Sequence, residues 1–114
     1  MERDGGLLAW QLALYPRNHR NRLNLVLHVL TVPLFWAGTI ALAFAWRAPW
    51  LAAVGPVAMI LAVVAQGRGH AREIEPPVPF AGPADVAARI FVEQWITFPR
   101  WVLRGGLAEA WRAR

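Results

Sequence analysis

Three histidines, His19, His28 and His70, carry most of the chemical capacity of this 114-residue chain. Imidazoles gathered beside a carboxylate suit a borderline divalent metal such as Fe(II), Zn(II) or Mn(II), and iron with open coordination positions supports oxygen chemistry. The polar neighbours repeat at helical spacing. Asn21, Asn24 and His28 stand at i, i+3 and i+7, and Gln66, His70 and Glu73 at i, i+4 and i+7. Each set therefore shares one helical face. Asn21, Asn24 and Gln66 would be outer partners that hold the imidazole tautomers. No HExxH and no i, i+4 histidine pair is present, so no compact metal motif decides the matter. The same residues also read as a hydrogen-bond cluster joining two helices. Both readings remain open at this level.

Two apolar runs must position these side chains. Apolar residues make up 57% of the chain, against roughly 45–50% in soluble domains. The first run covers about residues 24–46 and contains Pro33; the second covers about 50–70, with Gly55-Pro56 near its start. Each is long enough to cross a hydrocarbon layer of about 30 Å. The connection WRAPW places Trp46 and Trp50 around Arg47, as in an aromatic belt. The seven tryptophans read mainly as such interface anchors. The stretch LLAWQLALY, Leu7 to Tyr15, predicts a short interfacial helix ended by Pro16. Residues 75–83, rich in proline, predict an irregular rigid connector. An amphipathic helix is predicted over about 84–104, bent near Pro99 and stopped by Gly105-Gly106. The expected fold is all-α and integral to the membrane: one domain, 1–114, built as a two-transmembrane-helix hairpin with flanking amphipathic helices.

Charge and composition narrow the function classes. All twelve basic residues are arginine, the net charge is +5, and cysteine is absent. Cysteine-based redox, nucleophile and metal chemistry are thereby excluded. The arginines flank apolar runs instead of forming one dense stripe, which favours anionic membrane lipid over nucleic acid as the partner. Only Arg47 lies in the connection between the runs, so the positive-inside rule puts both termini in the cytoplasm. The Arg, Ala, Gly and Pro bias suggests a GC-rich bacterium and hence its inner membrane. The first fifteen residues lack an apolar core and a small-residue cleavage site, so a signal peptide is not expected. Neither a GxGxxG loop nor a GxSxG elbow occurs.

The run His19-Arg20-Asn21-Arg22-Leu23-Asn24-Leu25-Val26-Leu27-His28, followed by Pro33, resembles the H-x-N-x-x-N-x-x-x-H…P signature of the Mpo1-like family. Gln66, Gly69-His70 and Glu73 resemble its second motif, and Pro76, Pro77, Pro79, Phe80 and Glu93-Gln94-Trp95 follow as in its short bacterial members. The likeness runs from about Tyr15 to Gly106. It implies a membrane-bound Fe(II)-dependent dioxygenase that shortens 2-hydroxy fatty acids by one carbon in α-oxidation. His19, His28 and His70 would be catalytic iron ligands, with Glu73 a fourth ligand or an outer acceptor. Longer members place the acidic residue one position later, which leaves Glu73 and Glu75 both open. Arg20 or Arg72 would pair with the substrate carboxylate. Longer members also have four apolar helices, so a homo-oligomer could complete the fatty acyl cavity here. The rival reading is a non-catalytic membrane protein whose His/Asn/Gln/Glu cluster is structural or a structural metal site. A third is a subunit of a larger complex that packs through small faces at Gly38 and Gly55.

Overall fold

The computed structural model describes Arg3 and residues 5–113; Met1, Glu2, Asp4 and Arg114, parts of the charged start and the basic-aromatic tail, lie outside the described residues. Among the described residues all regular structure is helical. Helix α1 (Gly6–Leu14) runs into a 3-10 turn at Tyr15–Asn18. Helices α2 (Arg22–Ala43) and α3 (Leu51–His70) form the central pair. After an irregular segment come α4 (Pro83–Val92), a π-helical turn at Glu93–Thr97, α5 (Phe98–Leu103) and α6 (Gly106–Arg112).

The start of α2 is set by Asn21, whose side chain accepts from the Asn24 N–H at 3.2 Å, satisfying one of the helix's free N-terminal donors. Pro33 and Pro56 both sit inside continuous helix. Small residues bring the pair together. A Cβ built on Gly55 would lie 2.7 Å from the Gly38 carbonyl, and one on Gly38 equally close to the Gly55 carbonyl. At the other end Gly69 lies directly against Asn24. These contacts define an antiparallel hairpin and consume the small faces of Gly38 and Gly55 within the chain.

Both long helices are apolar enough to cross a membrane, and only 28% and 17% of their most apolar stretches are buried in the chain. Most of their apolar surface therefore points outward. Leu30, Ile40, Ile60 and Leu61 are half or more exposed, as are Trp46 and Trp50 in the connection. The inner core is aromatic: Tyr15, Leu25, Val32, Phe98 and Trp101 pack at the end of the hairpin where the histidines lie. Tyr15 and Trp101 are thus core residues, not interface anchors.

The predicted helix over 84–104 is broken by a π turn in which the Phe98 N–H bonds the Glu93 carbonyl. Pro99 has no N–H to give to the preceding turn, and the widened turn absorbs that loss. Its consequence is a change of face. Glu93, Gln94 and Thr97 point inward, while Phe91 and Trp95 are about two-fifths exposed. This is inverted relative to a water-soluble amphipathic helix. Gly105, with φ +84°, ends α5, in the left-handed conformation that glycine adopts without steric cost.

Candidate metal centre

The three histidines reach one point from three elements. His19 follows the 3-10 turn, His28 lies near the start of α2, and His70 ends α3. Their ring centroids are 4.7, 4.8 and 5.0 Å apart, each pair edge-on. The fourth group comes from the π turn. Glu93 Oε2 is 3.6 Å from His19 Nε2 and 3.5 Å from His28 Nε2. One candidate ligand atom from each of His19, His28, His70 and Glu93 lies within 4.8 Å of all the others. Two ligands about 2.1 Å from one ion stand at most ~4.2 Å apart. Tetrahedral ligands stand ~3.4 Å apart, so the widest pair must close by about 0.6 Å or more for the set to hold a single divalent ion.

Hydrogen bonds on the far side of two rings set their tautomers. His19 Nδ1 lies 2.9 Å from the Tyr15 carbonyl, and His28 Nδ1 lies 2.9 Å from the Asn24 carbonyl. A carbonyl only accepts, so both Nδ1 atoms carry the proton and both Nε2 atoms present lone pairs. Those Nε2 atoms are buried without a hydrogen-bond partner, and so is His70 Nδ1. Buried polar atoms are rarely left so, at about 1–3 kcal/mol each. Lone pairs that converge on a carboxylate repel it unless a cation lies between them. The donor set, three imidazoles and a carboxylate, suits a borderline divalent ion.

Tyr15 supports two of the four groups. Its hydroxyl donates to Glu93 Oε2 at 2.8 Å, its carbonyl orients His19, and its ring stacks on His19 at 3.6 Å. Burial and the Glu93 charge push the Tyr15 pKa well up, so the phenol remains a donor. For Glu93, burial raises the pKa, but the His19 and His28 rings 3.6 and 3.5 Å away more than offset it and hold the carboxyl well below its ordinary 4.5. For His19, burial lowers the pKa below 6.5 against the opposing pull of Glu93.

These shifts determine an acid response. The unfolded His19 would take up a proton below pH 6.5 that the folded, neutral ring resists, so stability falls as pH drops through that value. The Glu93 contribution is complete above pH 4.5 and is lost as pH falls through its lowered folded value. Both act in the same direction. Thermal melts of the metal-free protein in detergent should show a steadily falling midpoint from pH 7 to pH 4. A flat profile would mean that His19 is not held neutral as described.

The remaining predicted site residues separate into different roles. Glu73 is not in the metal group. Its carboxylate accepts from the Arg20 and Asn21 N–H groups and from Asn24 Nδ2, at 2.7 to 3.0 Å. An ionised carboxylate is well used there, against free amides beside the N-terminus of α2. Glu75 forms an exposed ion pair with Arg17 at 2.8 Å. Asn24 serves His28 through its backbone, not its side chain, and Asn21 is a helix cap. Gln66 holds no histidine; it exchanges two amide hydrogen bonds with Gln94 and donates to Thr31. Arg20 and Arg72 are exposed, and neither lines the cavity described next, so neither is placed to hold a substrate carboxylate there.

A cavity of about 410 Å³ opens beside the group, within the range of small-molecule sites. His70 and Glu93 form part of its wall, with Val63, Ile90, Phe80 and Arg89. An ion held by the four side chains would therefore adjoin open space, as catalytic sites do and closed structural sites do not. Glu93 and Arg89 are the functional residues that the residue pattern left out. Their signal was present: Glu93 and Thr97 share a polar stripe in an apolar helix, and Arg89 is a lone charge in VAARIFV. No family model, curated protein or solved structure matches the chain significantly.

Proposed function

We propose that the protein is a membrane-embedded, Fe(II)-dependent dioxygenase-like enzyme that shortens 2-hydroxy fatty acids by one carbon. The observation that carries this reading is the set of three partnerless ring nitrogens converging with Glu93 beside a cavity. The likeness of the histidine motifs to the Mpo1-like family supports the choice of iron and of the acyl substrate. Two helices of spanning length and the single arginine in their connection support insertion as a hairpin. On this reading the metal end faces the cytoplasm, in a bacterial inner membrane.

The chemistry that iron supplies when bound is activation of dioxygen at open coordination positions. The chain's own residues do the rest. His19, His28, His70 and Glu93 hold the ion. The Tyr15 and Asn24 carbonyls orient two of the imidazoles, and Tyr15 Oη holds the carboxylate. Gln66 and Gln94 lock α3 to the π turn, fixing His70 relative to Glu93. The cavity takes the substrate, its tail beside Val63 and Ile90 and its head toward His70.

Elemental analysis of protein purified anaerobically in mild detergent tests the reading. About one iron per chain is expected, lost in both His28→Ala and His70→Ala, because each removes a ligand from a shared site. Oxygen uptake on addition of a 2-hydroxy fatty acid should follow the iron content. A different metal at the same stoichiometry would remove the oxygenase chemistry while leaving the site. No metal after iron loading would leave a polar cluster that only joins the helices.

A further inference from the structure

The cavity holds one strong charge that the metal group does not use. Arg89 is 7% exposed, and its Nε is buried with no hydrogen-bond partner. The guanidinium lies over two aromatic rings, Phe80 at 4.3 Å and Trp10 at 5.2 Å. Its two terminal nitrogens donate to the Val78 and Pro79 carbonyls at 2.7 and 3.1 Å. Asp85 lies 3.5 Å away but is shared with Arg3, which it meets at 2.7 Å. A buried guanidinium whose neighbouring carboxylate is shared with a second arginine, and whose Nε is unused, is left under-neutralised, and a further anion would offset that cost. With aromatic rings packed on the guanidinium, its planar edge offers the donor, Nε–H, for that anion. A carboxylate fits such an edge, and a charged acceptor binds a guanidinium more strongly than a carbonyl does.

We propose that Arg89 is the anion-recognition residue of this cavity, binding the carboxylate of a single-chain amphiphile whose tail lies against Val63, Ile90 and Phe80. The Val78 and Pro79 carbonyls occupy the guanidinium while the cavity is empty. The carboxylate takes their place, so ligand entry loosens the segment from Pro76 to Ala81. This deepens the proposed function and rests on it only for the substrate class; the binding itself needs no metal. It also gives Arg89 the role that the sequence assigned to Arg20 and Arg72.

The test uses metal-free protein in an uncharged detergent, titrated with a fluorescent polyene fatty acid and, separately, with its methyl ester. The acid should bind about tenfold or more tightly than the ester. Arg89→Gln should bring the two to parity, and Arg89→Lys should restore part of the preference. Hydrogen exchange at residues 78–82 should rise when the acid is added. Because Arg89→Gln could disturb the segment it holds, a second variant leaves Arg89 alone. A Cβ on Gly67 meets nothing within 4 Å, and Gly67 lines the cavity, so Gly67→Phe should fill it and abolish acid binding with the melting profile intact. Equal binding of acid and ester by the wild type, or an acid preference that survives Arg89→Gln, would overturn the proposal. Acid binding unchanged in Gly67→Phe would place the ligand elsewhere and overturn it too. The metal reading stands or falls separately on elemental analysis of the same wild-type protein.

Discussion

Glu93→Gln is expected to lower divalent-metal affinity by at least about a hundredfold, beyond the ~10–100-fold typical of losing an outer partner of a ligand. The amide keeps the shape of the side chain and its bond to Tyr15, but it removes the charge that sits 3.5 and 3.6 Å from two imidazoles. Chelator competition would measure the loss. Glu73→Gln is the matched control, because it carries the same change on the carboxylate that the second histidine motif contains. There the metal content should be unaltered. Stability should instead fall by about 1.5–3 kcal/mol, as charge-assisted bonds to the Arg20 and Asn21 amides weaken. If Glu73→Gln emptied the site and Glu93→Gln did not, the carboxylate of the ligand set would be Glu73 in place of Glu93.

Gly55→Val should be the most destabilising single substitution in the hairpin, by about 3 kcal/mol or more. The added Cβ would sit 2.7 Å from the Gly38 carbonyl and 2.9 Å from the Leu42 nitrogen, both backbone atoms that cannot rotate away. The helices must separate, and because α2 carries His28 and α3 carries His70, the metal group opens with them. Gly67→Ala is the contrast. Its Cβ meets open space, and alanine is favoured over glycine within a helix by up to about 1 kcal/mol. Unfolding in mixed micelles would rank the two variants. A Gly55→Val protein as stable as the wild type would mean that the helices do not cross at this point.

The convergence of the histidines was legible because it follows from topology. Two apolar runs of spanning length joined by a few residues can only pair antiparallel. A polar residue near the start of the first and one at the end of the second then meet at the same end. The Asn21 cap and the glycine contacts follow from local chemistry of the same kind, and the irregular proline-rich segment was equally plain. What the residues could not settle was which carboxylate joins them. Glu73 has the helical spacing, yet the turn after α3 carries it past the histidines to the exposed amides before α2. Glu93 is twenty-three residues beyond His70 and reaches the site only because the π turn packs against α1 and α2.

Once there, its direction depends on a π turn. A regular helix read from the sequence places Glu93 and Thr97 on a polar, outward face. In the structure Gln94 and Thr97 of the widened turn are buried and Glu93 reaches the histidines, while the half-exposed Phe91 and Trp95 pack on Phe35 and Trp36 of α2. Arg89 illustrates the same limit. Its burial is made tolerable by Asp85 one turn before it, by two carbonyls and Phe80 of the connector, and by Trp10 from α1, a combination that helical spacing alone does not encode. Sequence alone therefore determined the helices, their pairing and the end at which the chemistry lies, since these depend on hydrophobic pattern and connection length. The tertiary structure decided which carboxylate joins the histidines, the burial of Arg89 and the cavity, since these depend on how the segments after the hairpin pack against it.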